Sequence, residues 1–344
     1  MTDTGRGLIA LEMRLLCDLA DPQAAPVGIE AFDGADVGVL LDAARDHNVE
    51  PVVLRKLKGL RFPEAEGFED ARRAASRDRM YLAAVALALS DQAARVMAAF
   101  RKAGVPHALV KGQAFARDLY DEASDRPFTD IDLILPASAA ARAGEVMAEL
   151  GYVQFKRERF DKSEQNEEQK WGLQGDRLML VELHGNLVHV PALRRRISFG
   201  YAEHADACAG GDRPVAGHFV TAVIHAAAGH KFHQLRLLVD VMQAMRRLTG
   251  DDLDHLAGVV ARLRIQPEVA MSLQLVDALF PAVRATGRAG DIRERLRLRP
   301  VPPIVDARSV LDAPGGAFWR SKVRRHAFRL YQMSLARRRS LPRA

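Results

Sequence analysis

The stretch Thr129-Asp130-Ile131-Asp132-Leu133-Ile134-Leu135-Pro136 decides how this chain is read. Acidic and apolar residues alternate at its start, which is the period of a half-buried strand, and Pro136 stops the run because it has no N–H for a ladder. Successive side chains of an extended strand point to opposite faces, so Asp130 and Asp132 share one side while Ile131 and Leu133 turn into a core. Two carboxylates a few ångströms apart repel each other, and a hard divalent cation shared with substrate phosphates relieves that repulsion. An Asp-x-Asp pair alone is weak evidence, because solvated aspartates at a strand end are the commoner case.

The elements on either side add weight. Upstream, His107-Ala-Leu-Val-Lys-Gly112 is a short apolar run ended by glycine, as expected of a buried strand leaving a sheet, and residues 113–120 read as the helix that follows. Downstream, residues 137–150 are strongly helical and close at Gly151. Residues 152–155 and 178–183 are the next strand candidates, and the polar stretch 158–174 between them reads as a flap or a long turn. By strand parity Glu182 and His184 share a face. The order β, α, β, α followed by two further strands implies a mixed sheet with helices packed on it.

Farther out the texture is helical. Val37, Leu40, Leu41 and Ala44 recur at helical spacing and residues 83–100 form an Ala-rich amphipathic run. Helix returns beyond Pro191, at 218–248 and 253–263, before a connector with Pro300, Pro302 and Pro303. The expected fold class is α+β, with an N-terminal helical domain (1–105), a central sheet domain (106–190) and a C-terminal helical domain with a basic tail (191–344).

The 344 residues are 48% hydrophobic and 27% charged, which excludes a disordered chain and permits one or two substantial cores. Cys17 and Cys208 are too far apart in sequence for a metal knuckle or a disulfide framework. Glu12, Arg14 and Asp18 interrupt the N-terminal apolar residues too often for a signal-peptide core, and no window approaches the roughly 20 apolar residues of a membrane helix. The expectation is a cytoplasmic protein without a transmembrane segment. The formal charge of +6 is uneven, since no Asp or Glu occurs from Phe318 onward. Arginines there mix with Trp319, Phe328 and Tyr331, which suits RNA, an acidic protein or an anionic membrane surface. Most such tails are solvated helices, and no recognisable nucleic-acid module accompanies this one.

The segments Leu109-Val-Lys-Gly112, Leu119-Tyr120, Arg126 through Thr129-Asp130-Ile-Asp132-Leu133, and Val181-Glu182-Leu183-His184 together resemble a family of uncharacterised bacterial nucleotidyltransferases within the DNA polymerase β superfamily. Leu235-Arg-Leu-Leu-Val-Asp240 fits the same family's C-terminal helical part, so the resemblance spans about Val37 to Leu248. It implies a nucleotidyltransferase palm in which Asp130 and Asp132 bind two Mg²⁺ (or Mn²⁺) ions and Glu182 completes the site. An NTP is the implied substrate, with in-line attack by an acceptor hydroxyl on the α-phosphorus, loss of pyrophosphate, and Glu182 orienting or deprotonating the hydroxyl.

The superfamily's first loop is typically Gly-Ser or Gly-Gly, whereas this one reads Lys111-Gly112-Gln113. These three residues and Arg126 are the candidate phosphate ligands, Lys111 as a cation in place of the missing serine and Gly112 for close backbone approach. The alternatives are a surface lysine at Lys111 and, at Arg126, a structural pair with Asp130 or Asp125. His184 and Asp240 are secondary candidates, Asp240 either salt-bridging an arginine or touching the base. His225, His230 and His233 fall on one expected helix without i, i+4 spacing, so packing and capping roles are expected of them.

Three readings follow. The first is a metal-dependent transferase that moves a nucleoside monophosphate onto a hydroxyl of a small molecule, peptide or protein. The second is a degenerate relative that binds nucleotide or a partner without turnover. The third is an RNA-directed enzyme or binder that uses the basic tail. The palm fixes only phosphate and metal chemistry, so neither acceptor nor base is legible.

Overall fold

The computed structural model describes residues 10–58, 60, 68–155, 168–173, 180–210, 214–312 and 319–337. The alternation around Asp130 does form a strand, and it lies in a mixed sheet. Among the described residues the strands are β1 (Ala108–Leu109), β2 (Asp130–Ile134), β3 (Tyr152–Gln154), β4 (Glu168–Leu173) and β5 (Leu180–His184), in the order β1-β2-β5-β4-β3. β2 and β5 run parallel, and the other neighbours are antiparallel.

Helices α1 (Leu11–Ala20), α2 (Val37–Asp46), α3 (Glu50–Leu57) and α4 (Phe68–Lys102) precede the sheet, and α5 (Gly112–Leu119) and α6 (Ala140–Glu149) are inserted between its strands. After it come α7 (Pro191–Arg194), α8 (Tyr201–Cys208), α9 (Val215–Ile224), α10 (Leu235–Arg247), α11 (Gly250–Leu263), α12 (Gln266–Leu279), α13 (Pro281–Ala285), α14 (Arg288–Arg295), α15 (Ala307–Leu311) and α16 (Trp319–Arg337). The chain is thus α+β, a sheet flanked by helices on both sides in sequence.

Two apolar cores divide the work. Ile131, Leu133, Trp171, Val181 and Leu183 pack with Leu89, Val96 and Phe100 of α4 and Val146 and Met147 of α6, so one face of the sheet is covered by those two helices. The other core joins α1–α3 to the helices beyond residue 191, with Phe115, Leu119 and Ile134 reaching into it. His47, just past α2, ties three distant segments together. Its Nδ1 accepts the Leu235 N–H at 3.1 Å and its Nε2–H donates to the Leu311 carbonyl at 3.0 Å.

Four expectations need correction. The polar stretch expected as a flap contains β4, a strand paired on both edges, because its polar residues alternate with Trp171 and Leu173 and find charged partners on β5. Residues 158–167 and 174, the rest of that expectation, lie outside the described residues. The single helix expected at 218–248 is broken: α9 ends in a π-turn at His225–Gly229, and Lys231 and Phe232 take positive φ values of 54° and 58° before α10 begins. The basic C-terminal run is a docked helix rather than a solvated one. Phe328 is fully buried against Phe232, with ring centroids 5.5 Å apart, and Gln332 donates to Glu268 at 2.8 Å.

The fourth concerns Met80–Lys102 of α4, which is long and apolar enough to cross a membrane by length and composition. Within it Leu89, Ala93, Val96 and Phe100 form the buried stripe, Asp91 and Arg95 pair at 2.7 Å on the exposed side, and Met80, Tyr81 and Leu87 are exposed.

Candidate active site

Strand register builds the site. Asp132 of β2 is level with Glu182 of β5, and Glu182 is level with Lys170 of β4; one step along, His184 is level with Glu168. Side-chain parity puts all of them, and Asp130, on the sheet face opposite α4 and α6. The apolar half of each strand is spent on the helix-covered face, which leaves the charged half to meet the loop after β1 and the later helices.

That loop is bent sharply. Lys111 has φ 54° and ψ −145°, a backbone state costing on the order of 1–3 kcal/mol for a residue with a Cβ. The bend carries the lysine ammonium to 2.7 Å from Asp132 Oδ1. Gly112 follows because the loop lies against β2: a Cβ there would sit 3.3 Å from the Phe128 Cβ and 3.7 Å from the Asp130 carbonyl oxygen. Gln113 is in the first turn of α5, and its Oε1 is buried without a partner among the described residues.

His184 is fully buried, and its Nε2 lies 2.7 Å from Asp132 Oδ1 and 3.6 Å from Glu182 Oε2. Burial first, and the Lys111 charge second, lower its pKa, so the ring is neutral, donates from Nε2 to Asp132 and leaves Nδ1 without a partner among the described residues. Burial alone would raise Asp132, but Lys111 and the His184 hydrogen bond hold its carboxylate well below the usual range. Lys170 bridges Glu168, at 2.9 Å, and Glu182. Those contacts outweigh its burial and raise its pKa above the ordinary lysine value. His189 Nδ1 lies 3.2 Å from Glu168 Oε2. Asp130 has no hydrogen bond or ion pair among the described residues. Burial, then repulsion from Asp132 and Glu182, push its carboxyl up to about 6.

The donor atoms of Asp132, Glu182 and His184 lie within 4.8 Å of one another, as do those of Glu168, His184 and His189. Asp130 belongs to neither group. The oxygens of Asp132 and Glu182 are of the kind that suits a hard divalent cation, and the Nε2–H of His184 is already donated to Asp132. Four carboxylates (Asp130, Asp132, Glu168, Glu182) face two ammonium groups (Lys111, Lys170), which leaves excess negative charge for such a cation.

Arg126, for which the sequence left a phosphate contact and a structural role open, is committed to protein. Nε donates to Asp240 Oδ1 at 2.7 Å, Nη2 to Asp240 Oδ2 at 3.0 Å and Nη1 to the Pro127 carbonyl at 2.7 Å. Tyr120 adds a hydroxyl donor to Asp240 Oδ1 at 2.7 Å. Arg126 and Asp240 are each about 1% exposed, so Asp240 is the partner of a buried arginine that joins the loop before β2 to α10. Asp125, the other partner considered for Arg126, is bound instead by Arg55 at 2.6 Å.

Lys170, Glu168, His189 and Arg236 escaped the sequence reading. The parity of Glu168-x-Lys170, with Trp171 and Leu173 on the opposite face, was the available signal for β4. His225, His230 and His233 are neighbours through a broken helix, with ring centroids 4.6 Å apart for the first two and 5.0 Å for the last two.

The profile of a family described as "Uncharacterised nucleotidyltransferase" matches residues 33–281, which include every residue of this site. No curated protein and no solved structure matches the chain.

Proposed function

Because the chain belongs to the uncharacterised nucleotidyltransferase family, we propose that it transfers a nucleoside monophosphate from an NTP to a hydroxyl of a small molecule, peptide or protein, using Mg²⁺ or Mn²⁺. The observation that carries this reading is the convergence of Asp132, Glu182 and His184 within 4.8 Å beside an unpaired Asp130 on the same sheet face. Asp130, Asp132 and Glu182 would hold the cation. When bound, it supplies charge neutralisation of the phosphates and acidifies the acceptor hydroxyl.

The chain's own groups have distinct tasks in this scheme. His184 holds the orientation of Asp132. Glu182 orients the acceptor and takes its proton as the acceptor oxygen bonds to the α-phosphorus. The α–β bridging P–O bond breaks and its electron pair leaves with pyrophosphate. Lys111, Gly112 and Gln113 form the loop nearest the phosphates, with the first-turn N–H groups of α5 free of intrahelical partners.

A second reading has an observation of its own. Lys111 and Lys170 already sit on Asp132 and Glu182, so a nucleotide- or partner-binding protein without turnover is consistent with the same geometry. The test is incubation with each NTP labelled at the α-phosphate, with Mg²⁺ or Mn²⁺ and a fractionated metabolite and protein extract. Label moving to one fraction with release of pyrophosphate supports transfer. Label remaining in NTP in every fraction, with nucleotide still bound, would favour the second reading.

A further inference from the structure

Three cations around the carboxylates have protein partners: Lys111 on Asp132, Lys170 on Glu168 and Glu182, and Arg126 on Asp240. Arg236, in the first turn of α10, does not. Its guanidinium makes no hydrogen bond or ion pair among the described residues, and its Nε is buried without an acceptor. It is enclosed by protein yet keeps partial contact with solvent. The charges of Arg126, Asp240 and Asp130 bear on it. An unpaired guanidinium next to another arginine opposes folding, because burial and like charge both disfavour it. Burial and Arg126 lower its pKa to about 10, which still leaves it charged at neutral pH.

The segment leading to Arg236 is also unusual. The π-turn His225–Gly229 and the two positive φ values at Lys231 and Phe232 cost free energy, and such devices gather at functional sites. They bring the His225 and His230 rings edge to face at 4.6 Å. Neither ring has a hydrogen-bonding protein partner among the described residues. Burial keeps both neutral, and a neutral imidazole retains one N–H donor. The charges of Lys111 and Arg236 reach both rings.

We propose that Arg236, with His225 and His230 beside it, binds the polyphosphate chain of the nucleotide. The inference rests on the nucleotide reading and deepens it. Lys111 is spent on Asp132 and the loop lacks the serine hydroxyl, so the phosphate charge needs a donor from elsewhere. Among the described residues Arg236 is an uncommitted cation whose field includes Asp130. A planar guanidinium suits phosphate oxygens, and unlike the carboxylate face it repels a metal ion.

The test uses the full chain and inorganic tripolyphosphate, titrated calorimetrically with Mn²⁺ present, in wild type, Arg236→Gln and Arg236→Lys. The expected result is binding weakened on the order of tenfold to a hundredfold in Arg236→Gln and less in Arg236→Lys, which keeps the charge but loses the fork. Mn²⁺ binding alone stays unchanged, and the ligand-free melting temperature of Arg236→Gln is equal to or above wild type because repulsion from Arg126 is gone. Arg236→Gln that binds tripolyphosphate as tightly as wild type, or melts well below it, overturns the proposal while leaving the nucleotide reading in place. Wild type that binds neither tripolyphosphate nor any NTP overturns both.

Discussion

Two clusters of buried charge sit close to Arg236, and they are built on opposite plans. In the first, Arg126, Asp240, Tyr120 and the Pro127 carbonyl close on one another, so that both carboxylate oxygens and all three guanidinium nitrogens are used. In the second, among the described residues, the Asp130 side chain has no partner, His184 Nδ1 has none, and four carboxylates outnumber two ammonium groups. The first is complete without a ligand and holds the loop before β2 to α10. The second is incomplete in charge and in hydrogen bonds, which is what the proposed cation and anionic substrate would complete. Burial alone does not distinguish them; satisfaction does.

The comparison can be broken most sharply by removing one carboxylate charge from each cluster. Asp130→Asn is expected to lower nucleotidyl transfer on the order of 10²–10³-fold, measured as release of labelled pyrophosphate, with the fold intact by circular dichroism because this carboxylate has no ion-pair partner to strand. Asp240→Asn is expected to do the reverse. It strands Arg126 in the interior and destabilises the protein by about 3–5 kcal/mol in urea unfolding. Equal losses of stability in the two variants would erase the distinction between the clusters.

A smaller effect comes from His47, a buried neutral group whose two ring nitrogens are both in use. Burial lowers its pKa to about 4 against an ordinary value of 6.5. The unfolded chain therefore takes up a proton before the folded one does. Stability from this residue is fully present above pH 6.5 and falls as pH drops toward 4, by about 3 kcal/mol in all. Urea midpoints across that window should fall in wild type and fall less in His47→Gln. The smallest effect belongs to Tyr120→Phe, which takes one donor from an Asp240 that keeps two others and should cost about 1 kcal/mol without altering metal binding.

Much of the open cluster was legible because β-strands write their faces into sequence. Asp130-x-Asp132 and Glu182-x-His184 each announce a shared side, and parallel pairing of β2 with β5 then sets Asp132 beside Glu182. β4 was hidden for the same physical reason that makes it useful. Its outward residues are charged because they pair across the sheet, so a single sequence shows only a polar stretch. The closed cluster was half legible: Arg126 and Asp240 are 114 residues apart, and nothing local says that they meet. The histidines and Arg236 were obscured by the π-turn, since a pattern read at 3.6 residues per turn places them on the wrong faces. The docked C-terminal helix misled for a related reason, as its arginines outnumber the few side chains, such as Phe328 and Gln332, that bury it.

The open cluster is proposed to bind a nucleotide through a divalent cation. The most direct measurement is calorimetry of a non-hydrolysable NTP analogue, with and without Mg²⁺ or Mn²⁺, in wild type and in the Asp130→Asn/Asp132→Asn double variant. Binding that requires the cation and is lost in the double variant is expected, while Asp130→Asn alone melts no lower than wild type. Nucleotide binding that is indifferent to the metal and survives in the double variant would contradict it.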